Sequence, residues 1–117
     1  MIAHDLRRMP RGAVYRLLID MIVPRPIAFV STQSQDGVAN VAPFSFFNGV
    51  SADPPVLSIS CAPKRDGTPK DTLRNIIETG EFVVNIMGQS HLTQVHQASA
   101  DYPYGVSEFD RVGLTRL

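Results

Sequence analysis

Three consecutive residues, Lys70, Asp71 and Thr72, stand where a helix is predicted to begin, and their chemistry suits an anion. The first turn of a helix carries unpaired backbone N–H groups and a partial positive charge, and both favour a phosphate. Lys70 adds a full positive charge and Thr72 adds a hydroxyl donor. Asp71 would repel a phosphate, so we expect it to cap the helix or to orient Lys70. The alternative is that Thr68 and Asp71 only cap the helix, while Lys70 remains in solvent.

A second group of candidate residues lies around the first apolar strand. Ser31 and Thr32 end that strand, and their hydroxyls could bond a phosphate or a polyol chain; they could equally close a turn through their own backbone. Arg25 lies between two prolines, which restrict its backbone angles. Its guanidinium could bind a phosphate through two hydrogen bonds, and the alternative is a salt bridge at the surface or at an interface.

The third group is a strand rich in aromatic residues. It comprises Ala42, Pro43, Phe44, Ser45, Phe46, Phe47 and Asn48. A flavin ring needs an apolar or aromatic wall and a few hydrogen-bonding groups at one edge, which Ser45, Asn48 and the backbone could supply. Ser58 and Ser60 share one face of the next strand and could line the same cavity. The alternative for each phenylalanine is a place in the core.

Apolar spacing and turn residues predict the elements that position the first two groups. Apolar residues recur at helical spacing between Ala13 and Pro24, where a strand is the alternative. Strands are predicted over 27–33 and 38–49, joined by a tight turn at 35–37. Pro43 lies inside the second strand, which requires an edge or a bulge at that point. Residues 1–12 are expected to be irregular.

The second half of the chain is predicted to contain the best-defined helix. Thr68 is its expected cap, Pro69 its first residue and Gly80 its end, and Leu73, Ile76 and Ile77 form its apolar face. Strands are predicted over 56–61 and 82–87, and loops over 62–67 and from Ser99 onward. A short helix capped by Ser90 is also predicted, with Leu92 and Val95 facing the core.

Length and charge restrict the classes of function. The chain has 117 residues, which we assign to one domain, 1–117, and its 11 basic side chains balance 11 acidic ones. We therefore expect no nucleic-acid partner, and no run approaches the ~20 apolar residues of a membrane span.

Cys61 is the only cysteine, which fits a reducing cytosol. No secretory signal begins the chain, and Asp5, Pro10 and Gly12 argue against a transit peptide. We predict a cytoplasmic protein.

Other kinds of site lack their motifs. His91 and His96 do not have the four-residue spacing of a helical zinc pair, so no metal site is predicted. There is no Gly-x-Ser-x-Gly elbow, and Cys61 in an alternating strand is expected in the core. Neither a Gly-x-Gly-x-x-Gly nor a phosphate-binding Gly-x-x-x-x-Gly-Lys loop occurs, so any nicotinamide would bind without a Rossmann unit.

In this order, the three groups resemble the flavin reductase-like family. The matching blocks are 23–28 running into Ser31 and Thr32, then 42–48, then 70–72, and the segment 105–115 also looks like the family's chain beside the flavin. The resemblance implies a mainly β domain with short helices, the FMN-binding split β-barrel of Greek-key type, which usually works as a homodimer. It places Ser31, Thr32 and the 70–72 turn near the ribityl phosphate, and 42–48 along the isoalloxazine ring.

The resemblance also implies an activity. In such proteins NAD(P)H reduces bound flavin by hydride transfer to N5, so the chemistry belongs to the cofactor and no catalytic acid or base is nominated. The leading hypothesis is an NAD(P)H-dependent flavin reductase or a flavoredoxin-like electron carrier. The alternative is a non-catalytic flavin-binding or oligomerising module on the same fold.

The sequence departs from the family at its end. The family's domain continues with strands that close the barrel, whereas this sequence stops at Leu117. Proteins normally pair or cover open sheet edges. The missing part could come from a partner chain, the sequence could be a fragment, or it could be a short relative that no longer turns over. An exposed apolar edge also favours a homodimer.

Overall fold

The computed structural model describes residues 1–115, and their backbone forms two small antiparallel sheets with short helices around them. The predicted domain runs to residue 117, and its last two positions lie outside the described residues. The elements are α1 (Arg11–Met21), β1 (Ala28–Gln33), β2 (Ala39–Phe44), β3 (Phe47–Ala52), β4 (Pro55–Ile59), α2 (Asp71–Thr79), β5 (Val83–Asn85), α3 (Leu92–Gln97) and α4 (Glu108–Val112). The strand order is β2-β1-β5 in one sheet and β3-β4 in the other, and neither sheet closes on itself.

The β1–β2 hairpin confirms the predicted turn. Gly37 has a φ of 82°, a positive value that glycine adopts without steric cost. The turn is closed by a hydrogen bond from the Ser34 N–H to the Val38 carbonyl at 2.9 Å. Because β2 is an edge strand, Pro43 can occupy it without removing a hydrogen bond from a central ladder. The edge position predicted for Pro43 is therefore confirmed.

The single strand predicted over 38–49 is wrong, because the chain forms β2 and β3 in different sheets. Pairing with β1 ends where Phe44 faces Ala28, the first residue of β1. Beyond that point no partner strand is present, so the chain bends and pairs with β4 instead, where Phe47 faces Ile59. The bend at Ser45 separates the two sheets.

The start predicted for α2 is also wrong. The cap position belongs to Lys70, and the helix begins at Asp71 rather than at Pro69. Thr68 is used elsewhere, because its hydroxyl donates to Asp66 Oδ1 at 2.6 Å in the preceding loop. The predicted end is confirmed at Gly80, whose φ is 75°.

The inward face of α2 is polar, in contrast to the apolar face that was predicted. Asp71, Thr72 and Asn75 are buried, whereas Ile77 is 75% exposed. A helix that served only to fill a core would bury its apolar side chains. The polar side of α2 packs on β1 and β2, and its side chains find hydrogen-bond partners there.

The chain from Ser99 onward is not a continuous loop. It contains α4, which ends at Gly113 with a φ of 67° and buries Glu108 and Val112. The helix after Ser90 also differs from expectation, since its cap position is His91 and Leu92 is 68% exposed. At the other end of the chain, α1 begins at Arg11, within the range predicted to be irregular.

Two apolar clusters form the core on either side of the three-stranded sheet. One consists of Phe29, Val41, Ala98 and Val112, and the other of Ala28, Val30 and Phe44. Large apolar side chains elsewhere are exposed, including Val83 at 59% and Ile86 at 76% at and beside the β5 edge. Within residues 1–115 no helix is long and apolar enough to cross a membrane.

Candidate functional site

An open groove of about 520 Å³ lies between the N-terminal segment and the bend that joins the two sheets. One wall is formed by Pro43, Phe44, Ser45 and Phe46, with Ser60, Ala62 and Lys70 beside it. The opposite wall comes from the first eighteen residues, through Leu6, Met9, Arg11, Val14, Tyr15 and Leu18. The groove is thus lined by aromatic and aliphatic side chains with a few hydroxyls and two cations.

One contact between aromatic rings joins the two walls of the groove. The ring centroids of Tyr15 and Phe46 lie 5.9 Å apart with their planes tilted by 45°. This separation is within the range that stabilises aromatic pairs. Through this contact, α1 covers the groove, so a helix with no assigned role in the sequence becomes part of the site.

Lys70 lies at one end of the groove and caps α2. Its Nζ is 5.8 Å from the centroid of the Phe44 ring, within cation–π distance. Within residues 1–115 Lys70 forms no salt bridge. Lys70 and Pro43 line both this groove and a second, smaller cavity. The cation therefore stands where the two spaces meet.

The second cavity, of about 130 Å³, lies beside the start of α2 and contains a buried ion pair. Lys64 Nζ is 3.2 Å from Asp71 Oδ1, and both side chains are largely buried. The sequence predicted that Asp71 would cap α2 or orient Lys70. Asp71 does neither, and it forms an ion pair with Lys64 instead. This pairing leaves the charge of Lys70 available to an anion.

Buried polar side chains connect this cavity to α4. Glu108, only 6% exposed, accepts a hydrogen bond from the Val41 N–H through Oε2 at 3.2 Å. With its amide nitrogen toward Glu108, Asn40 donates to both carboxylate oxygens at 3.1 and 3.2 Å, and its Oδ1 accepts from the Thr72 hydroxyl at 2.8 Å. On the far side, Asn75 Nδ2 donates to Thr32 Oγ1 at 3.0 Å. The network joins β1, β2, α2 and α4.

Burial raises the pKa of the Glu108 carboxyl above its ordinary value, because the charged form loses its hydration. Hydrogen bonds from its own N–H and from the Val41 N–H oppose this rise. The negative charge of Asp71 raises the pKa further, and Lys64 lowers it. Burial also raises the pKa of the Cys61 thiol, and this residue packs against the core as the sequence predicted.

The structure brings many of the predicted site residues to these two spaces. The groove receives Pro43, Phe44, Ser45, Phe46, Ser60 and Lys70, and the smaller cavity receives Ala42, Asp71 and Thr72 together with Pro43 and Lys70. These residues come from three separate segments of the chain. Their role in binding a cofactor stays a prediction.

Six predicted residues line neither space, and one of them is the exposed Ser58 on β4. Arg25 Nη1 donates to the Ile19 and Ile22 carbonyls at 2.6 and 3.1 Å, so it satisfies the end of α1. The other four are Ser31, Thr32, Phe47 and Asn48. Ser31 Oγ accepts a hydrogen bond from Asn85 Nδ2 at 3.2 Å, and Thr32 is buried. Phe47 packs in the second apolar cluster, and Asn48 is exposed on β3.

Sequence reasoning missed Asn40, Lys64 and Asn75, and it included Glu108 only within the segment 105–115, without giving it a role of its own. Nothing local distinguishes Asn40 or Asn75, since their importance comes from contacts across many residues of sequence. Glu108 had a usable signal. It follows Ser107 and precedes Gly113, which is the usual pattern at the two ends of a short helix.

Comparison with known proteins shows that this chain has the split-barrel flavin reductase fold, and the two open sheets with an aromatic groove beside a helix N-terminus agree with it. The model of the flavin reductase like domain matches residues 21–116. This chain belongs to the flavin reductase-like family. The family and the fold implied by the resemblance are thus confirmed.

Individual relatives agree. An uncharacterised protein of Halalkalibacterium halodurans is 50% identical over 109 residues, covering 93% of this chain and 52% of the relative. Nitrilotriacetate monooxygenase component B from Bacillus cereus has a TM-score of 0.90 at 41% identity and covers 98% of this chain and 56% of its own. The 2-nitrobenzoate 2-nitroreductase of Pseudomonas fluorescens has a TM-score of 0.80 at 32% identity, covering 96% and 52%. The chain therefore spans about half the length of these relatives.

Proposed function

We propose that this protein binds FMN in the open groove and acts as an NAD(P)H-dependent flavin reductase or a flavoredoxin-like electron carrier. One observation carries the proposal: the aromatic strand and the helix cap, which the sequence nominated separately, meet at a single groove. Membership of the flavin reductase-like family supports a flavin as the ligand. The similar monooxygenase component and nitroreductase support a redox role.

The residues present fit FMN by their chemistry. A volume of about 520 Å³ is typical of a small-molecule site, and such sites combine an apolar wall with a few polar groups. Phe44, Phe46 and Tyr15 offer surfaces for a flat ring. Ser45 and Ser60 offer hydroxyls for its polar edge, and Lys70 offers a cation for its phosphate.

In this proposal the chain binds and orients, and it supplies no proton donor or acceptor of its own. Lys70 and the start of α2 hold the phosphate, because a cation and unpaired N–H groups favour the same anion. Tyr15 and α1 exclude water from one side of the ring. When bound, FMN would supply the hydride- and electron-transfer chemistry, which the side chains of this site do not provide.

An absorption experiment tests the proposal. The purified protein is mixed with FMN, separated from free ligand, and its spectrum is recorded before and after anaerobic NADH or NADPH. We expect a flavin spectrum that bleaches, faster than free FMN with the same reductant. A retained spectrum without bleaching would indicate the second candidate, a non-catalytic flavin-binding module. An absent flavin spectrum would refute flavin binding.

We also propose that the protein is a cytoplasmic homodimer, since Val83 and Ile86 leave an apolar surface at the β5 edge. Light scattering that gave a monomer mass with FMN bound would contradict the dimer.

A further inference from the structure

We propose that Arg11 binds the pyrophosphate of a nicotinamide dinucleotide, on the wall of the groove that the first eighteen residues form. The inference rests on the proposed function, because a dinucleotide reductant has a place in the groove only if a flavin binds there. It adds a residue of the N-terminal segment to the site, and it assigns a separate anion to each of the two cations in the groove.

Positive charge is concentrated at the start of the chain. Four of the 11 basic side chains, but only one of the 11 acidic ones, lie in the first 16 residues; the four are Arg7, Arg8, Arg11 and Arg16. Because the whole chain is balanced, the remainder carries the opposite excess. The positive segment forms one wall of the groove, so an anion that enters the groove meets a favourable local field despite the zero net charge.

The charged side chains that line the groove have the same sign. Among the described residues, its lining includes the cations Arg11 and Lys70 and no aspartate or glutamate. The neighbouring cavity of about 130 Å³ differs, because Asp71, Asp101 and Glu108 line it. Two cations without a carboxylate make the groove a site for anionic ligands.

The two cations lie on opposite walls of the groove and belong to different helices. Lys70 occupies the N-cap position of α2, whereas Arg11 is the first residue of α1. Arg11 is exposed and forms no salt bridge within residues 1–115, so its charge is available to a ligand. FMN carries one phosphate, for which Lys70 is the proposed partner. Arg11 therefore fits a second anionic group.

The proposed reductant supplies such a group. Hydride transfer requires the two reacting atoms to lie about 3–3.5 Å apart, so a nicotinamide has to enter the same groove as the flavin. The sequence has no Gly-x-Gly-x-x-Gly loop that would bind the phosphates of the dinucleotide elsewhere. The guanidinium of Arg11 presents paired N–H groups, which match the oxygens of a pyrophosphate. NADH and NADPH share the pyrophosphate, so Arg11 should serve both.

Two substitutions of Arg11 test this role. Arg11→Gln removes the charge, and Arg11→Lys keeps the charge but loses the paired N–H groups. Arg16→Gln is the matched control, because Arg16 is an exposed arginine of the same helix that does not line the groove. Flavin reduction is measured with NADH, with NADPH and with dihydronicotinamide riboside, which carries the same reducing ring without phosphates.

We expect Arg11→Gln to raise the KM for NADH and for NADPH about tenfold, the effect of one hydrogen bond to a charged group. Arg11→Lys should lie between this variant and the parent. The Kd for FMN and kcat/KM with dihydronicotinamide riboside should not change, and Arg16→Gln should match the parent.

Four results would overturn the proposal. An unchanged KM for both dinucleotides, or an equal rise in Arg16→Gln, would show that Arg11 makes no specific contact. A rise confined to NADPH would assign Arg11 to the 2′-phosphate. Weaker binding of FMN by Arg11→Gln would assign Arg11 to the flavin phosphate.

A measurement without flavin separates this inference from the proposed function. ADP-ribose, which has the pyrophosphate but no nicotinamide, is titrated into the ¹⁵N-labelled apo protein. The side-chain N–H resonance of Arg11 should shift, and Arg11→Gln should bind ADP-ribose about tenfold more weakly than the parent. A resonance that does not shift, or a larger loss in Lys70→Ala than in Arg11→Gln, would overturn the role of Arg11 even if FMN binds. Failure of FMN to bind would refute the proposed function, and the ADP-ribose titration would still decide whether Arg11 binds a pyrophosphate.

Discussion

Replacing Lys70 with alanine is the most direct perturbation of the proposed flavin site. Lys70 occupies the N-cap position of α2, lies between the groove and the smaller cavity, and forms no salt bridge within the described residues. Its side chain makes no capping hydrogen bond, so α2 does not depend on it. The substitution should therefore reduce the affinity for a phosphate while leaving the fold in place.

The size of the effect follows from the position of the charge. A hydrogen bond to a charged group contributes about 1.5–3 kcal/mol. Two unit charges 4 Å apart near a protein surface interact by about 4 kcal/mol, which sets an upper limit because Lys70 is only partly buried. We expect a loss of about 2 kcal/mol, or a thirtyfold rise in the Kd for FMN. Loss of the contact with Phe44 should cost about 0.5–1 kcal/mol of stability, a shift of a few degrees in Tm.

Fluorescence titration of flavin measures the loss, with Arg65→Ala as the matched control. Arg65 is an exposed cation in the loop before α2 and lines neither space, so its removal changes the net charge equally. Riboflavin should bind the Lys70→Ala protein and the parent alike. An equal loss for riboflavin and FMN would show that Lys70 supports the ring or the fold. No loss for either would place the phosphate elsewhere.

Three other substitutions give distinct outcomes. Arg25→Ala should lower the free energy of unfolding in urea by about 1–3 kcal/mol and leave the FMN affinity unchanged, because the Arg25 guanidinium donates to carbonyls at the end of α1. Weaker FMN binding at unchanged stability would indicate instead that Arg25 binds the phosphate. Tyr15→Ala should weaken FMN and riboflavin equally, by about 0.5–1.5 kcal/mol, because it removes an aromatic wall of the groove paired with Phe46; a loss confined to FMN in the same titration would contradict this. Burial raises the pKa of Glu108, so its contribution to stability is complete below its ordinary pKa of 4.5 and is lost as the pH rises through the folded value. Between pH 4 and pH 8, the free energy of unfolding in urea should therefore fall less for Glu108→Gln than for the parent, and identical falls would contradict this.

Local signals in the sequence predicted the fold well where the chain follows local rules. Gly37 specified the first hairpin and Gly80 specified the end of α2, because their positive φ angles favour glycine. The family resemblance supplied the split barrel, which no periodicity in 117 residues would give. The errors occur where distant partners decide: β2 ends at Phe44, which pairs with Ala28, because β1 offers no partner for the residue that follows.

The candidate site was predicted in part, for the same physical reason. Pro43, Phe44 and Lys70 stand out by type and position, and the structure brings them to one groove. Arg25 has equally suitable chemistry, yet its guanidinium turns to the carbonyls of α1. Sequence shows which groups a residue carries, whereas the direction of a long side chain depends on neighbours that only the folded chain supplies.

The polar face of α2 is the strongest structural indication that this region is built for binding. Buried polar side chains cost free energy unless each is satisfied, and a helix needed only for packing would have Ile77 inside and Thr72 outside. Here Thr72 is satisfied by Asn40, while Asn75 donates to Thr32 and leaves its own Oδ1 without a partner among the described residues. Residues that oppose the local packing rule concentrate at functional sites. The polar inward face of α2 is therefore an argument for the proposed anion site that does not depend on Lys70.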